Sequence, residues 1–111
     1  MLNIGDRVLA QWPVEVDWWY PGVIVGAEGP LVVVQFDDGD RSALDTALAR
    51  PFDAVDVGRR VYGRFKGGTY YFPGAIAART GAAIHILYDD GDTEWTSVGM
   101  VRVHRDDVPA P

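Results

Sequence analysis

The sequence predicts an all-β protein made of two small five-stranded barrels that pack together. Three observations lead to this class. Thirteen glycines and seven prolines separate short apolar runs, which is typical of strands joined by frequent turns. No stretch has sustained helical periodicity. The whole pattern also returns once along the chain, after 52 or 53 residues.

The repeat is visible in three pairs of segments. They are GDRVLAQW (5–12) with GRRVYGRF (58–65), WWYPGVI (18–24) with YYFPGAI (70–76), and FDDGD (36–40) with YDDGD (88–92). The offset falls from 53 to 52 because the first copy has one extra residue between Trp12 and Tyr20. We therefore expect two domains, residues 1–53 and residues 54–111.

Each copy is predicted to contain five short strands. In the first copy they are residues 6–12, 22–27, 31–36, 41–44 and 49–52, and in the second they are residues 60–65, 74–79, 83–88, 93–96 and 101–104. Asp38-Gly39-Asp40 predicts a type I′ hairpin, because glycine takes positive φ freely and aspartate tolerates it. Residues 45–48 are expected to form a single helical or 3₁₀ turn.

Five strands in about 50 residues favour a closed, strongly bent barrel, because closure removes exposed strand edges. A barrel of this size buries a marginal core. We therefore expect the two copies to pack on one another or to exchange a strand. The linker, residues 53–57, is short enough to force them into contact.

The composition argues against several functions. A chain without cysteine has no disulfide, thiolate zinc site or cysteine nucleophile. His85 and His104 have no repeated partners, and the aspartate clusters lack the glutamate that ends a calcium loop. We expect no catalytic site, no metal and no cofactor. No apolar run approaches the roughly 18–20 residues of a membrane span, and the first residues lack the order of a signal peptide. The predicted location is cytoplasmic, or nuclear in a eukaryote, with no membrane partner.

Three aromatic positions in each copy stand at strand ends or beside the predicted Pro-Gly turn. They are Trp12, Tyr20 and Phe36 in the first copy and Phe65, Phe72 and Tyr88 in the second. Strand ends meet at one rim of a barrel, so these rings can converge. Beside the carboxylate of Asp38 or Asp90, converging rings suit a methylated ammonium group, which is attracted to π-faces. The alternative is that the rings fill the cores and that the aspartates are only turn residues.

The order Gly-Asp-Arg-Val-x-Ala-x-Trp, Tyr-Pro-Gly-x-Ile and Val-x-Phe-Asp-Asp-Gly-Asp resembles a Tudor domain of the Tudor, agenet, chromo and MBT group. The duplication resembles a tandem Tudor or agenet pair, over residues 5–52 and 58–104. The resemblance implies two SH3-like, Tudor-type barrels in a non-catalytic module. Such a module binds a protein or peptide, with a methylated lysine or arginine held in an aromatic cage.

The resemblance also implies which residues form the cages. They are Trp12, Tyr20, Phe36, Asp38 and Asp40 in the first copy, and Phe65, Phe72, Tyr88, Asp90 and Asp92 in the second. Asp40 and Asp92 stand where the family often has a further aromatic. An added carboxylate there favours lower methylation states or arginine-type cations.

Charge favours the first cage. Residues 1–53 hold nine acidic and three basic residues, and residues 54–111 hold seven of each, so the first copy carries the whole net charge of −6. A cationic protein or peptide is therefore the expected partner. A second group of rings lies either at the pocket rim or between the barrels. It comprises Trp18, Trp19, Tyr70 and Tyr71.

Nucleic acid is the alternative partner. A basic stripe lies next to Tyr70 and Tyr71, on which bases can stack. It comprises Arg59, Arg60, Arg64 and Lys66. The pI near 4.6 makes this the less favoured interpretation, because a net negative charge repels phosphates. The sequence leaves the oligomeric state open.

Overall fold

The computed structural model describes residues 2–110, and its regular structure consists of strands and 3₁₀ turns. The strands are β1 (Arg7–Trp12), β2 (Glu15–Glu28), β3 (Leu31–Phe36), β4 (Arg41–Asp45), β5 (Ala49–Pro51), β6 (Arg60–Gly63), β7 (Phe72–Thr80), β8 (Ala83–Tyr88), β9 (Thr93–Ser97) and β10 (Val101–His104). The 3₁₀ turns are Thr46–Leu48, Phe52–Ala54, Phe65–Gly67, Val98–Met100 and Arg105–Asp107. The expected all-β class is confirmed.

Each half of the chain closes on itself in the same way. In the first half, β1 pairs antiparallel with both β2 and β5. In the second half, β6 pairs antiparallel with both β7 and β10. The remaining strands extend each half as hairpins, β2-β3-β4 and β7-β8-β9. Because the first strand of each half holds the second and the fifth strand together, the sheet curves into a small barrel, as predicted.

Strand β10 joins the two barrels. Val103 pairs with Trp19 and His104 with Trp18, so β10 lies between β6 of its own barrel and β2 of the other. The resulting strand order is β4-β3-β2-β10-β6-β7-β8-β9, and the molecule measures 45 × 25 × 22 Å. The expected packing of the two barrels is present. Within residues 2–110, β5 pairs with β1 of its own barrel, whereas β10 pairs with both barrels and is therefore shared between them.

The predicted start of the second strand is wrong. Strand β2 begins at Glu15, not at residue 22, and Trp12 pairs with Glu15 across a turn of two residues. The extra residue of the first copy lies within this region, between Trp12 and Tyr20. Trp18 and Trp19 therefore lie in a strand and not in a loop. In the second copy, β6 stops at Gly63 and Phe65–Gly67 forms a 3₁₀ turn, where the sequence predicted strand.

The repeated Pro-Gly pair is not a turn in either copy, because Pro21-Gly22 lies inside β2 and Pro73-Gly74 lies inside β7. A Cβ atom on Gly22 would lie 2.8 Å from the backbone oxygen of Gln35. One on Gly74 would lie 2.7 Å from the backbone oxygen of Leu87. Glycine is therefore needed at both positions because the third strand of each barrel crosses very close to the second.

The two cores share strand β1. Its side chains alternate between faces, so Val8 and Ala10 pack with Ile24 and Phe36 in the first barrel. Leu9 points the other way and joins a cluster composed mostly of second-barrel residues. The other first-copy members of that cluster are Trp19 and Phe52. The division at residues 53 and 54 stays a prediction, and the core of the second barrel draws on residues from before it.

Candidate functional site

Four of the five residues predicted for the first cage line one cavity, which we call cavity 1. Its volume is about 360 Å³, and Trp12, Tyr20, Phe36 and Asp38 are among its walls, whereas Asp40 is not. The rings of Trp12 and Tyr20 meet edge to face, with centroids 5.2 Å apart at 79°. Trp12 ends β1, Phe36 ends β3, and Tyr20 lies opposite Ala10 in β2. Phe36 is 3% exposed, so it belongs to the core as well as to the cavity.

The acidic hairpin that carries Asp38 is not the predicted type I′ turn. That turn needs two successive residues with positive φ, whereas here Gly39 has φ +99° and Lys66 is the sole non-glycine with positive φ among residues 2–110. The Gly39 amide donates to the Phe36 carbonyl (2.9 Å) and the Phe36 amide to the Asp40 carbonyl (2.8 Å). These bonds define a three-residue loop with a glycine bulge. Oδ1 of Asp38 accepts the Asp40 amide (2.9 Å), which fixes this carboxylate at the cavity.

The neighbouring carboxylate is already neutralised. Arg7 donates two hydrogen bonds to Asp37, one of them from Nη2 to Oδ2 at 2.6 Å. Gly99 of the second barrel packs against this ion pair, because a Cβ atom there would lie 2.8 Å from Oδ2 of Asp37. Of the two adjacent aspartates, Asp38 is thus the one left to attract a cation.

The second barrel completes cavity 1. Arg64, Tyr71 and Gly99 line it alongside the first-barrel residues, and the rings of Tyr20 and Tyr71 lie 6.4 Å apart at 80°. Burial raises the pKa of the Tyr71 hydroxyl; Tyr20 and Asp38 add to this rise, and the guanidinium groups of Arg64 and Arg102 oppose it. Sequence reasoning placed Arg64 in a basic stripe and missed its position at this cavity.

Arg102 contacts two wall residues of cavity 1, Tyr20 and Tyr71, but is not itself a wall. Its guanidinium carbon lies 3.8 Å from the ring centroid of Trp18 and 4.3 Å from that of Tyr71. Its Nη1 donates to the hydroxyl of Tyr20 (2.8 Å). Arg102 was not predicted as a site residue, although the repeat aligns it with Arg50, which lies 5.2 Å from the ring centroid of Trp19.

The second group of rings therefore divides between different roles. Trp18 and Trp19 lie where β2 pairs with β10, between the barrels, and Trp19 is buried. Tyr71 is a wall of cavity 1. Tyr70 is 76% exposed and lines neither cavity described here.

All five residues predicted for the second cage line a smaller cavity, cavity 2, of about 190 Å³. They are Phe65, Phe72, Tyr88, Asp90 and Asp92. The rings of Phe65 and Tyr88 meet edge to face, 5.5 Å apart at 87°. Every wall belongs to the second barrel, and Phe72 is exposed. Cavity 2 is thus a smaller counterpart of cavity 1, and no first-barrel residue among those the structure describes lines it.

Glu94 braces cavity 2 and was not anticipated from the sequence. Its Oε2 accepts a hydrogen bond from the hydroxyl of Tyr88 (2.6 Å), and its Oε1 accepts one from the Lys66 amide (3.0 Å). Burial raises the pKa of the Tyr88 hydroxyl well above its ordinary value, and the bond to Glu94 raises it further. Tyr88 therefore stays protonated and locked against β9.

Two of the four residues of the predicted basic stripe have different partners. Arg60 forms an ion pair with Asp89, whose pKa is lowered by the hydrogen bond from that guanidinium. Arg64 turns to cavity 1. Arg60 and Arg64 thus lie in different surroundings, one in an ion pair and the other at a cavity.

Metal-ligating side chains and the two histidines have the following arrangement. Within residues 2–110, no group of three or more acidic or histidine side chains is arranged to hold a metal ion. His85 stacks on Trp95, with ring centroids 5.1 Å apart. The rings of His104 and Trp18 meet edge to face, with centroids 5.2 Å apart. In the same part of the chain, no helix has the length and hydropathy to cross a bilayer.

Known structures share this architecture. No family model and no curated protein matches the sequence. Among solved structures, the chain is similar to the tandem Tudor domains of Crb2, with a TM-score of 0.74 and 14% identity over 97% of this chain and 84% of that one. It also matches AGD34 of AGDP1 from Arabidopsis thaliana, with a TM-score of 0.47 and 16% identity over 94% of this chain and 83% of that one.

The likeness to the Crb2 domains confirms the predicted fold, a tandem Tudor-like pair of SH3-like barrels. At this level of identity, the likeness establishes the fold and leaves the ligand to be argued from the site.

Proposed function

We propose that this chain is a non-catalytic binding module that recognises a methylated lysine or arginine side chain of a protein, with cavity 1 as its principal site. One observation carries the proposal. The rings of Trp12, Tyr20 and Phe36 and the carboxylate of Asp38 line the same cavity. Ring faces attract weakly hydrated alkylammonium groups, and a nearby carboxylate adds to that attraction.

Two features favour cavity 1 over cavity 2. Tryptophan is the best cation–π partner among the aromatic side chains, and cavity 1 contains Trp12 whereas cavity 2 has Phe65 at the same place in the repeat. Cavity 1 is also larger, and the second barrel adds the ring of Tyr71 to its walls. Cavity 2 is proposed as a weaker second cation site, with Asp90 and Asp92 as its charged walls. A cytoplasmic location stays a prediction.

The test is a titration followed by NMR. Isotope-labelled protein is mixed with Gly-Ser peptides that carry unmodified, mono-, di- or trimethylated lysine or dimethylated arginine, and with a short single-stranded DNA. We expect methylated peptides to shift the indole signal of Trp12 and the amides around Tyr20 and Phe36. Trp12→Ala should weaken binding about tenfold, equivalent to roughly 1.4 kcal/mol, within the range of a desolvated cation–π contact.

Phe65→Ala is the matched control, because it removes the equivalent ring from cavity 2. It should leave binding to cavity 1 unchanged. The proposal is wrong if no methylated peptide causes shifts, or if the unmodified lysine peptide binds equally well. A salt-sensitive response to DNA centred on Arg60 and Arg64 would instead favour a nucleic-acid partner.

A further inference from the structure

We infer that the ligand of cavity 1 carries a negative group next to its methylated cation, and that Arg64 is the residue that selects it. The inference rests on the proposed function and specifies its ligand. It starts from an unusual pairing of charges, because the same cavity that is lined by Asp38 is also lined by Arg64.

Both charges are available to a ligand. Among residues 2–110, no ion pair involves either Asp38 or Arg64. Asp37, the other carboxylate at cavity 1, is instead occupied by Arg7. Cavity 1 thus presents one carboxylate and one guanidinium that form no ion pair, with each other or with another described residue.

The guanidinium of Arg64 is held in place but poorly satisfied. The Arg64 amide donates to the Met100 carbonyl (3.1 Å), and Nη2 donates to the Met100 sulfur (3.0 Å). A thioether is a weak acceptor, and Nε is buried without a hydrogen-bond partner among the described residues. A carboxylate or phosphate on the ligand would give the terminal nitrogens strong charge-assisted bonds.

Charge and volume both favour a ligand that carries a cationic group and an anionic group. A plain cation that enters cavity 1 is attracted by Asp38 and repelled by Arg64, whereas a ligand with both charges gains from each. The volume of about 360 Å³ lies in the roughly 300–1,000 Å³ range of small-molecule sites, which leaves room beyond the ammonium group. Cavity 2, at about 190 Å³, has two carboxylates and no basic residue in its walls, so it should prefer a plain cation.

The shared chemistry of the expected ligands is an N-methylated ammonium with an anionic group a few bonds away. A methyl-lysine beside an acidic residue in a peptide has this chemistry, and so does a small betaine. The experiment therefore compares two matched peptides, dimethyl-lysine followed by Glu or by Gln, and two small probes, tetramethylammonium and glycine betaine. Dissociation constants are measured by calorimetry on the full chain.

We expect the Glu peptide to bind about tenfold more tightly than the Gln peptide, and betaine more tightly than tetramethylammonium. Arg64→Gln should weaken binding of the Glu peptide and of betaine, the two ligands with an anionic group. The ratios of dissociation constants, Gln peptide to Glu peptide and tetramethylammonium to betaine, should therefore fall close to one. Arg59→Gln is the matched control, since it removes the same charge from an exposed arginine outside the walls of cavity 1, and it should keep both ratios. Whichever of the Glu peptide and betaine binds more tightly identifies the source of the ligand.

The inference fails if the wild-type protein binds methylated probes without preferring those that also carry an anionic group. It fails as well if a folded Arg64→Gln variant keeps that preference. The wild-type comparison stands even if that variant does not fold. If no methylated probe binds at all, the proposed function fails first, and the two failures are thereby distinguished.

Discussion

Cavity 1 and cavity 2 are lined from equivalent positions of the repeat, yet their volumes are about 360 Å³ and 190 Å³. The cause is the neighbouring barrel. Arg64, Tyr71 and Gly99 close cavity 1 from the second barrel, whereas the described part of the first barrel contributes no wall to cavity 2. A duplicated sequence therefore yields two different sites because each copy packs against a different surface.

A second difference lies in the residue that packs against Phe36 or Tyr88 inside each barrel. The first barrel combines Ala10 with Phe36, and the second combines Gly63 with Tyr88 at the equivalent positions. A Cβ atom on Gly63 would lie 2.5 Å from the hydroxyl oxygen of Tyr88. The small residue and the large one have thus changed together, since the added hydroxyl needs the space that alanine fills in the other copy.

The largest expected effect comes from matched core truncations. Ile24 and Ile76 are equivalent and almost fully buried, one in each core. Ile24→Ala and Ile76→Ala should each lower the free energy of unfolding by about 2–5 kcal/mol. Because Leu9 and Trp19 of the first copy belong to the second core, we expect a single unfolding transition for both variants. Denaturation followed by tryptophan fluorescence and by backbone circular dichroism checks this, and two separate transitions would contradict a shared core.

The next largest effect concerns the contact between Gly63 and Tyr88. Gly63→Ala should cost about 1–3 kcal/mol, because the new methyl group collides with Tyr88 and with Ile86. Tyr88→Phe alone should cost about 1 kcal/mol through loss of its bond to Glu94. In the Gly63→Ala background, Tyr88→Phe should instead restore part of the stability, since it recreates the combination of the first barrel. Additive costs in this double-mutant cycle, measured by urea denaturation, would show that the two positions are independent.

The smallest effect concerns the ion pair between Arg60 and Asp89. The hydrogen bond from Arg60 lowers the pKa of Asp89 below its ordinary value of 3.8. The contribution of this ion pair to the free energy of unfolding is therefore present above about pH 4. It is lost as the pH falls through the lowered pKa of Asp89. Arg60→Gln should return the Asp89 pKa to its ordinary range and flatten the acid limb of the stability curve. Carboxyl chemical shifts followed by NMR between pH 2 and 6 measure this, and an unchanged Asp89 pKa would count against the ion pair.

The parts of the molecule set by local sequence were predictable. The position of Phe36 follows from a strand end that recurs at Tyr88, and the tandem arrangement follows from the repeat itself. The hairpin type was not, because Asp-Gly suits both a type I′ turn and a three-residue loop with a glycine bulge. The bond from the Phe36 amide to Asp40 selects the second, and that register is a property of the paired strands.

The contribution of one barrel to the site of the other could not be predicted. Arg64 resembles any basic residue near a strand end until the docking of the 3₁₀ turn Val98–Met100 places it at cavity 1. The same holds for Arg102, whose position between Trp18 and Tyr71 depends on the pairing of β2 with β10. Such contacts join residues far apart in sequence, and no local pattern encodes them.

The link between Tyr20 and Arg102 spans 82 residues, which sets an order of events during synthesis on the ribosome. The local hairpins of the first barrel can form early, but Trp18 and Trp19 stay without their partner strand until β10 has been made. Cavity 2 has all of its walls once residue 92 is in place, whereas cavity 1 needs Gly99. The site whose first residues are translated earliest is therefore the last to be completed, and a nascent chain cannot form the full cavity 1 before residue 99 has been translated.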